Sequence, residues 1–267
     1  MPRLFFLILA AFTAISVLAA DIIEKDIQYR PGAADPYAAD RCRVDVARPD
    51  SASAAPVVVW FHGGGLTSGS KALPAELLGK GYVVVSANYR LMPAVPIDSC
   101  IADAAAAVAW ARDNAARLGG DPHKIVLTGH SAGGYLSMML ALDKSWLAPY
   151  GIDPDSLMAV IPFSGQAITH FAHRDMHGIG NLQPTIDRYA PLYHARRSPV
   201  PMILITGGRD LELFGRYEEN AYLWRMLRLC GHPAAELYEI DGFDHGAMAA
   251  PAFHILNNKI KALTKPN

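Results

Sequence analysis

The sequence predicts a mostly parallel α/β sheet flanked by helices, and three observations predict it. Short, continuous apolar runs rich in β-branched residues recur along the chain, at Val57 to Phe61, Tyr82 to Ala87, Lys124 to Thr128, Leu157 to Phe163 and Pro201 to Thr206. Such runs are the pattern of strands buried on both faces, as parallel strands are. Segments of helical length and composition separate several of them, and strands alternating with helices build a parallel sheet. Hydrophobic residues make up 51% of 267 positions, which suits one large core and excludes a disordered chain.

In chain order, Asp26 to Arg30 and Cys42 to Val46 alternate apolar and polar residues and read as early strands with one wet face, joined by the turn-rich Pro31 to Pro36. After a Ser-, Ala- and Pro-rich turn over residues 49–56, the first buried strand, Val57 to Phe61, runs into His62-Gly63-Gly64-Gly65. Leu73 to Lys80 is expected to be a helix stopped by Gly81, and Tyr82 to Ala87 the next buried strand. Asp98 to Leu118 reads as a long Ala-rich helix capped by Asp98 or Ser99 and ended by Gly119-Gly120. The strand from Lys124 enters Gly129-His130-Ser131-Ala132-Gly133, and Tyr135 to Leu142 continues as a helix. Phe214 to Leu229 and Phe253 to Leu263 are helices, with a strand at Ala235 to Ile240 between them. There is no internal repeat and no long linker, so residues 20–267 are expected to form a single domain, with a cap or lid insertion at about 164–200 over the strand ends.

The N-terminus has its own pattern. One positive charge at Arg3, an uncharged run from Leu4 to Leu18 and small residues before a cut after Ala19 are those of a secretory signal peptide over residues 1–19. This predicts a secreted or periplasmic protein with no stable membrane span after cleavage; a retained anchor is the competing reading. Lys and Arg total 24 against 25 Asp and Glu, so no basic excess points to nucleic acid or to an anionic membrane. Cys42, Cys100 and Cys230 allow at most one internal disulfide, and none has the spacing of a redox or zinc site. The sequence leaves the oligomeric state open.

The chemistry centres on Ser131. In a strand–turn–helix context, Gly-x-Ser-x-Gly lifts the serine hydroxyl above the sheet edge, where the helix aims its free N–H groups. A Cβ at Gly129 or Gly133 is expected to clash where the backbones approach. A serine needs a base to accept its proton and an acid to orient that base. His245, in a loop after the last strand, is the base candidate. Asp210, just past the strand at Pro201 to Thr206, is the favoured acid, with Glu212 its nearest rival because two residues on an extended chain face the same way. The backbone N–H groups of Gly63, Gly64 and Ala132 are the expected oxyanion donors, and His62 is read as a brace for its loop. His170, Asp175, His173 and His177 fall inside the insertion; they match no metal motif, so no metal and no cofactor is expected.

Together, Val57 to Gly65, Tyr89-Arg90-Leu91, Gly129 to Gly134, Gly207 to Asp210 and Asp244-His245 resemble the α/β-hydrolase superfamily, and within it the HGGG-type serine esterases. These include hormone-sensitive-lipase-like carboxylesterases and secreted acetyl or feruloyl esterases. The resemblance implies an eight-stranded, mostly parallel sheet and metal-free hydrolysis of a small-molecule or carbohydrate ester through an acyl-enzyme. The chain departs from the hormone-sensitive-lipase pattern where Leu211 follows Asp210 in place of proline, and its cap is small. The small cap and the export signal fit the secreted short-acyl esterases better. A peptidase or amidase (arylformamidase-like enzymes included) on the same triad is the alternative, and a non-catalytic binding module is a further one.

Overall fold

The computed structural model describes residues 21–51 and 53–265; the signal peptide expected over residues 1–19 lies outside them. Eight strands form one sheet in the order β1-β2-β4-β3-β5-β6-β7-β8. They are β1 (Ile22–Gln28), β2 (Arg43–Arg48), β3 (Ala55–Phe61), β4 (Val83–Ala87), β5 (Gly120–His130), β6 (Ala159–Phe163), β7 (Met202–Gly207) and β8 (Ala235–Ile240). β2 pairs antiparallel with both β1 and β4, and every other pairing is parallel. This is the α/β-hydrolase architecture. Among the described residues, no helix is long and apolar enough to cross a membrane.

The period of two in the strands divides the interior into two cores. Val57, Val59, Phe61, Val85 and Leu127 face one side. There they pack under α2 (Ile97–Asn114), α3 (Ala132–Leu142) and α5 (Arg216–Leu229). Val58, Trp60, Val84, Val126, Phe163 and Ile205 face the other side and meet α6 (Ala249–Thr264). Trp60, Phe163 and Phe253 fill that second core with ring centroids 5.1 to 5.7 Å apart. Continuous apolar runs are required because both faces of each central strand are covered.

Two expectations are corrected. The helix expected over Leu73 to Lys80 is a single 3₁₀ turn, Ala75–Leu77. Pro74 precedes it, and Gly79 and Gly81 follow at positive φ, leaving too few residues to nucleate an α-helix. The long helix α2 begins at Ile97 behind Pro96, and neither Asp98 nor Ser99 caps it. A short helix, α1 (Pro36–Arg41), follows the turn-rich connection after β1. Cys42 and Cys100 are buried and Cys230 is exposed, all as free thiols.

The segment between β6 and β7 carries only α4 (Phe171–Met176) and a 3₁₀ turn, Pro191–His194. Its organiser is the fully buried Arg174, whose guanidinium donates to the carbonyls of Thr169 and Gly180 at 3.0 and 3.1 Å. A buried charge of this kind must find acceptors, and the loop wraps to provide them.

Asp103 of α2 is fully buried and accepts from Arg30 and Arg90. Arg90 also reaches Asp35 at 2.6 Å. The loop that Arg90 anchors supports the glycine turn after β3. Met92 N–H donates to the Leu66 carbonyl at 2.8 Å, and the Tyr89 hydroxyl donates to the His62 carbonyl at 2.8 Å. Replacing one member of a buried charge group leaves the others unpaired. Asp103→Asn is therefore expected to lower unfolding free energy by about 3 kcal/mol, measured by urea denaturation.

Candidate active site

The turn after β5 is shaped by backbone contact. A Cβ on Gly133 would lie 2.0 Å from the Phe61 carbonyl oxygen, and one on Gly129 would lie 2.5 Å from the same atom. Both glycines are required, as the sequence predicts. The close approach forces the intervening Ser131 to φ 55° and ψ −113°, a conformation that L side chains rarely adopt. The strain sets its hydroxyl at the C-terminal edge of the sheet, directly before α3.

His245, in the loop between β8 and α6, places Nε2 2.9 Å from Ser131 Oγ. Its Nδ1 lies 2.8 Å from Glu212 Oε2 and 2.9 Å from Ser164 Oγ. Glu212 has no exposed side-chain surface. Its Oε1 accepts from Ser164 Oγ at 2.6 Å and from Gly207 N–H at 2.9 Å. Burial alone would raise its pKa, but the hydrogen bonds from His245, Ser164 and Gly207 outweigh that and hold it at about 2. The ionised carboxylate requires a proton on Nδ1 of His245. The free lone pair is then on Nε2, toward the serine hydroxyl, which donates to it.

Asp210 does not reach His245. It is exposed and lines a surface cleft with Arg209, Glu239 and Asp241. The reason is local. Leu211 and Glu212 N–H groups both donate to the Gly208 carbonyl, at 2.9 and 3.0 Å, so the chain coils in a tight turn where an extended chain was expected. Residues two apart in such a coil point to opposite sides, so Glu212 folds back under β7 while Asp210 faces solvent. The favoured acid, Asp210, is thus away from His245, and its rival two residues on, Glu212, is the carboxylate in contact with it.

Ser164 and His130 were not foreseen. Ser164 follows β6 immediately, at φ 45°, and the one available signal was a hydroxyl at the C-terminal end of the strand beside β5. His130 donates Nε2–H to the His245 carbonyl at 2.7 Å. Burial and the neighbouring His245 push its pKa down to about 4, so it is a neutral brace for the loop that carries His245.

The glycine turn sits beside the serine. A Cβ on Gly63 would be 3.5 Å from Ser131 Cβ, and one on Gly64, at φ 113°, would be 2.3 Å from the Ser68 carbonyl oxygen. Among the described residues, the N–H groups of Gly63, Gly64 and Ala132 have no acceptor within the protein. His62 stacks on Tyr89 with centroids 4.4 Å apart and contacts the Gly63 carbonyl through Nδ1 at 2.6 Å, which is the bracing role expected of it. In the insertion, His170 is buried and caps α4, accepting from Ala172 N–H at 3.2 Å, while His173 and His177 pack on each other. Among the described residues, no three His, Cys, Asp or Glu side chains gather as metal ligands would.

The chain matches the BD-FAE family model over residues 44–192, more than half its length. It is similar to esterase LipC of Mycobacterium tuberculosis, 29% identical over 221 residues that cover 72% of this chain and 53% of that protein. It is also similar to carboxylesterase NlhH of the same species, 44% identical over 91 residues that cover 32% of this chain and 28% of that protein. The matches thus span about a quarter to about a half of these relatives' lengths. Esterase 2 of Thermogutta terrifontis, in its tabun-phosphoramylated structure, superposes with a TM-score of 0.72 at 24% identity, covering 92% of this chain and 97% of that one. At that identity the likeness establishes the fold.

Glu212 also links this site to stability. Its folded pKa lies below the unfolded value of 4.5, so its contribution is present above about pH 4.5 and is lost as pH falls toward about 2. Across that window, wild-type unfolding free energy is expected to decline with a slope approaching about 1.4 kcal/mol per pH unit from this group. Denaturant titrations of Glu212→Gln at matched pH should lack that component.

Proposed function

The chain belongs to the BD-FAE family of α/β-hydrolases, and on that premise we propose that it is a serine carboxylesterase acting on short-acyl esters, acetyl or feruloyl esters of carbohydrates among them. The observation that carries this is the hydrogen-bonded line from Ser131 through His245 to Glu212. Ser131 Oγ attacks the ester carbonyl while His245 Nε2 takes its proton. Glu212 orients the imidazole and balances the charge that it gains. The carbonyl oxygen, now an oxyanion, accepts from the N–H groups of Ala132 and of Gly63 or Gly64. Their freedom from internal partners supports this role, and each such donor contributes about 3 kcal/mol to the transition state. Collapse of the tetrahedral species expels the alcohol, which receives the proton from His245. Water then attacks the acyl-enzyme with His245 as base and regenerates Ser131.

The relatives' names support ester hydrolysis, and the compact segment over 164–200 supports a short acyl group. The pattern of residues 1–19 supports export to the periplasm or medium.

The reading predicts three rates on p-nitrophenyl acetate. Ser131→Ala should lose roughly ten-thousand-fold or more in kcat/KM. Glu212→Gln should lose about a thousandfold or more, since the histidine then lacks its orienting charge. Asp210→Asn should stay within about twofold of wild type. Retained activity in Ser131→Ala would overturn the mechanism, and a large loss in Asp210→Asn with none in Glu212→Gln would reverse the assignment of the acid.

A further inference from the structure

α5 opens with three polar side chains on one face. Arg216, Glu219 and Asn220 stand at i, i+3 and i+4, and Leu223 and Leu227 continue the same stripe into the core. Arg216 and Asn220 are buried, and the Glu219 side chain is 9% exposed. Buried polar groups need partners. These three find theirs in backbone groups of residues 164–167, where the chain leaves the sheet after β6. Arg216 Nη1 donates to the Ser164 carbonyl, and Asn220 Nδ2 donates to that of Gly165 at 2.8 Å. Glu219 Oε2 accepts from the Ala167 N–H at 3.0 Å. Arg216 and Glu219 also form an ion pair at 3.8 Å, and Asn220 donates to the Arg216 carbonyl at 2.9 Å, so the three holders are tied to one another.

The segment they hold would not keep its shape alone. Ser164 has φ 45°, a conformation that L side chains rarely adopt, so its surroundings must impose it. Gly165 lies against α3, where a Cβ on it would be 2.7 Å from the Gly134 carbonyl carbon. The backbone at 164–165 is thus held by both α3 and α5. What it carries is the hydroxyl that donates to Glu212 Oε1 at 2.6 Å and lies 2.9 Å from His245 Nδ1. The carbonyl and the side chain of Ser164 share one Cα. A backbone turn that frees the carbonyl therefore swings the hydroxyl off both partners.

We infer that Arg216 is a positioning residue for the line from Ser131 through His245 to Glu212. It acts through Ser164, with Asn220 and Glu219 in support, by fixing the hydroxyl that holds Glu212 and His245 in register. The inference rests on the serine-esterase reading. Arginine suits the position because its fork reaches the buried carbonyl with Nη1 while Nε faces Glu219.

The test is a double-mutant cycle on hydrolysis of p-nitrophenyl acetate. Arg216→Met is made together with Glu219→Gln, so that no buried charge is stranded and the acceptor for the Ala167 N–H is kept. This change should lower kcat about tenfold or more with KM within about twofold, because the reacting groups are misaligned and substrate binding is untouched. Ser164→Ala should lose a similar factor. Combined, the two should cost less than about thirtyfold, whereas independent effects multiply to about a hundredfold. The full product would mark a packing defect that does not act through Ser164, and it overturns the inference. So does a kcat within about twofold of wild type in either variant. Should the neutralised pair fail to fold, Asn220→Ala takes its place in the cycle, with the same coupled loss expected and an independent effect or no loss overturning the inference. If the clamp has no effect while hydrolysis depends on Ser131, the esterase reading stands; hydrolysis independent of Ser131 would bring down both.

Discussion

The sheet edge that carries Ser131 depends on one close approach, the backbone of Gly129 and Gly133 against the carbonyl of Phe61. No side chain fits between them, since a Cβ on Gly133 would stand 2.0 Å from that oxygen. The contact holds the end of β3 against the start of α3. The glycine turn after β3 and the serine before α3 are therefore brought together by the same packing. It also leaves Ser131 no ordinary conformation, and its positive φ is the local consequence. A site placed on strand ends in this way inherits the rigidity of the sheet, which orients the reacting groups before substrate arrives.

Around this core, the structure places buried carboxylates where loops must be held. Asp103 gathers Arg30 and Arg90, and so secures the loop under the glycine turn. Glu212 gathers His245, Ser164 and the Gly207 N–H. In each case burying the carboxylate is costly, and several donors to one carboxylate are what keep it in place. The second case has a further effect, because the ionised Glu212 selects the His245 tautomer that faces Ser131 with a lone pair. His130 adds the remaining constraint by holding the His245 carbonyl, so His245 is fixed from both its ring and its backbone.

Much of this was legible in contiguous residues. Apolar β-branched runs mark strands covered on both faces, and each central strand lies where its run predicts, with boundaries shifted by a few residues. Glycines that must accept a neighbouring backbone declare themselves by spacing around Ser131. The meeting of His245 with Ser131 followed from parallel strands sharing one edge. The features that were not legible depend on contacts distant in sequence or on the exact coil of a loop. Whether Asp210 or Glu212 reaches the histidine turns on a tight coil at Gly208, which periodicity treats as extended chain. Ser164 is an ordinary residue until β6 lies beside β5. The apolar segment at 73–80 resembles a helix in composition, yet proline and glycine leave it room for one 3₁₀ turn. Arg174 and Arg216 are unremarkable in sequence because burial of a charge is set by the loops that close over it.

The central claim is that Ser131 is the nucleophile and that free N–H groups beside it receive the oxyanion. A crystal structure of the enzyme after reaction with a fluorophosphonate tests this most directly. The account predicts phosphorus bonded to Ser131 Oγ, with the phosphoryl oxygen about 2.7–3.1 Å from the Ala132 N–H and from that of Gly63 or Gly64. An adduct on another residue, or a phosphoryl oxygen turned away from those donors, would contradict it.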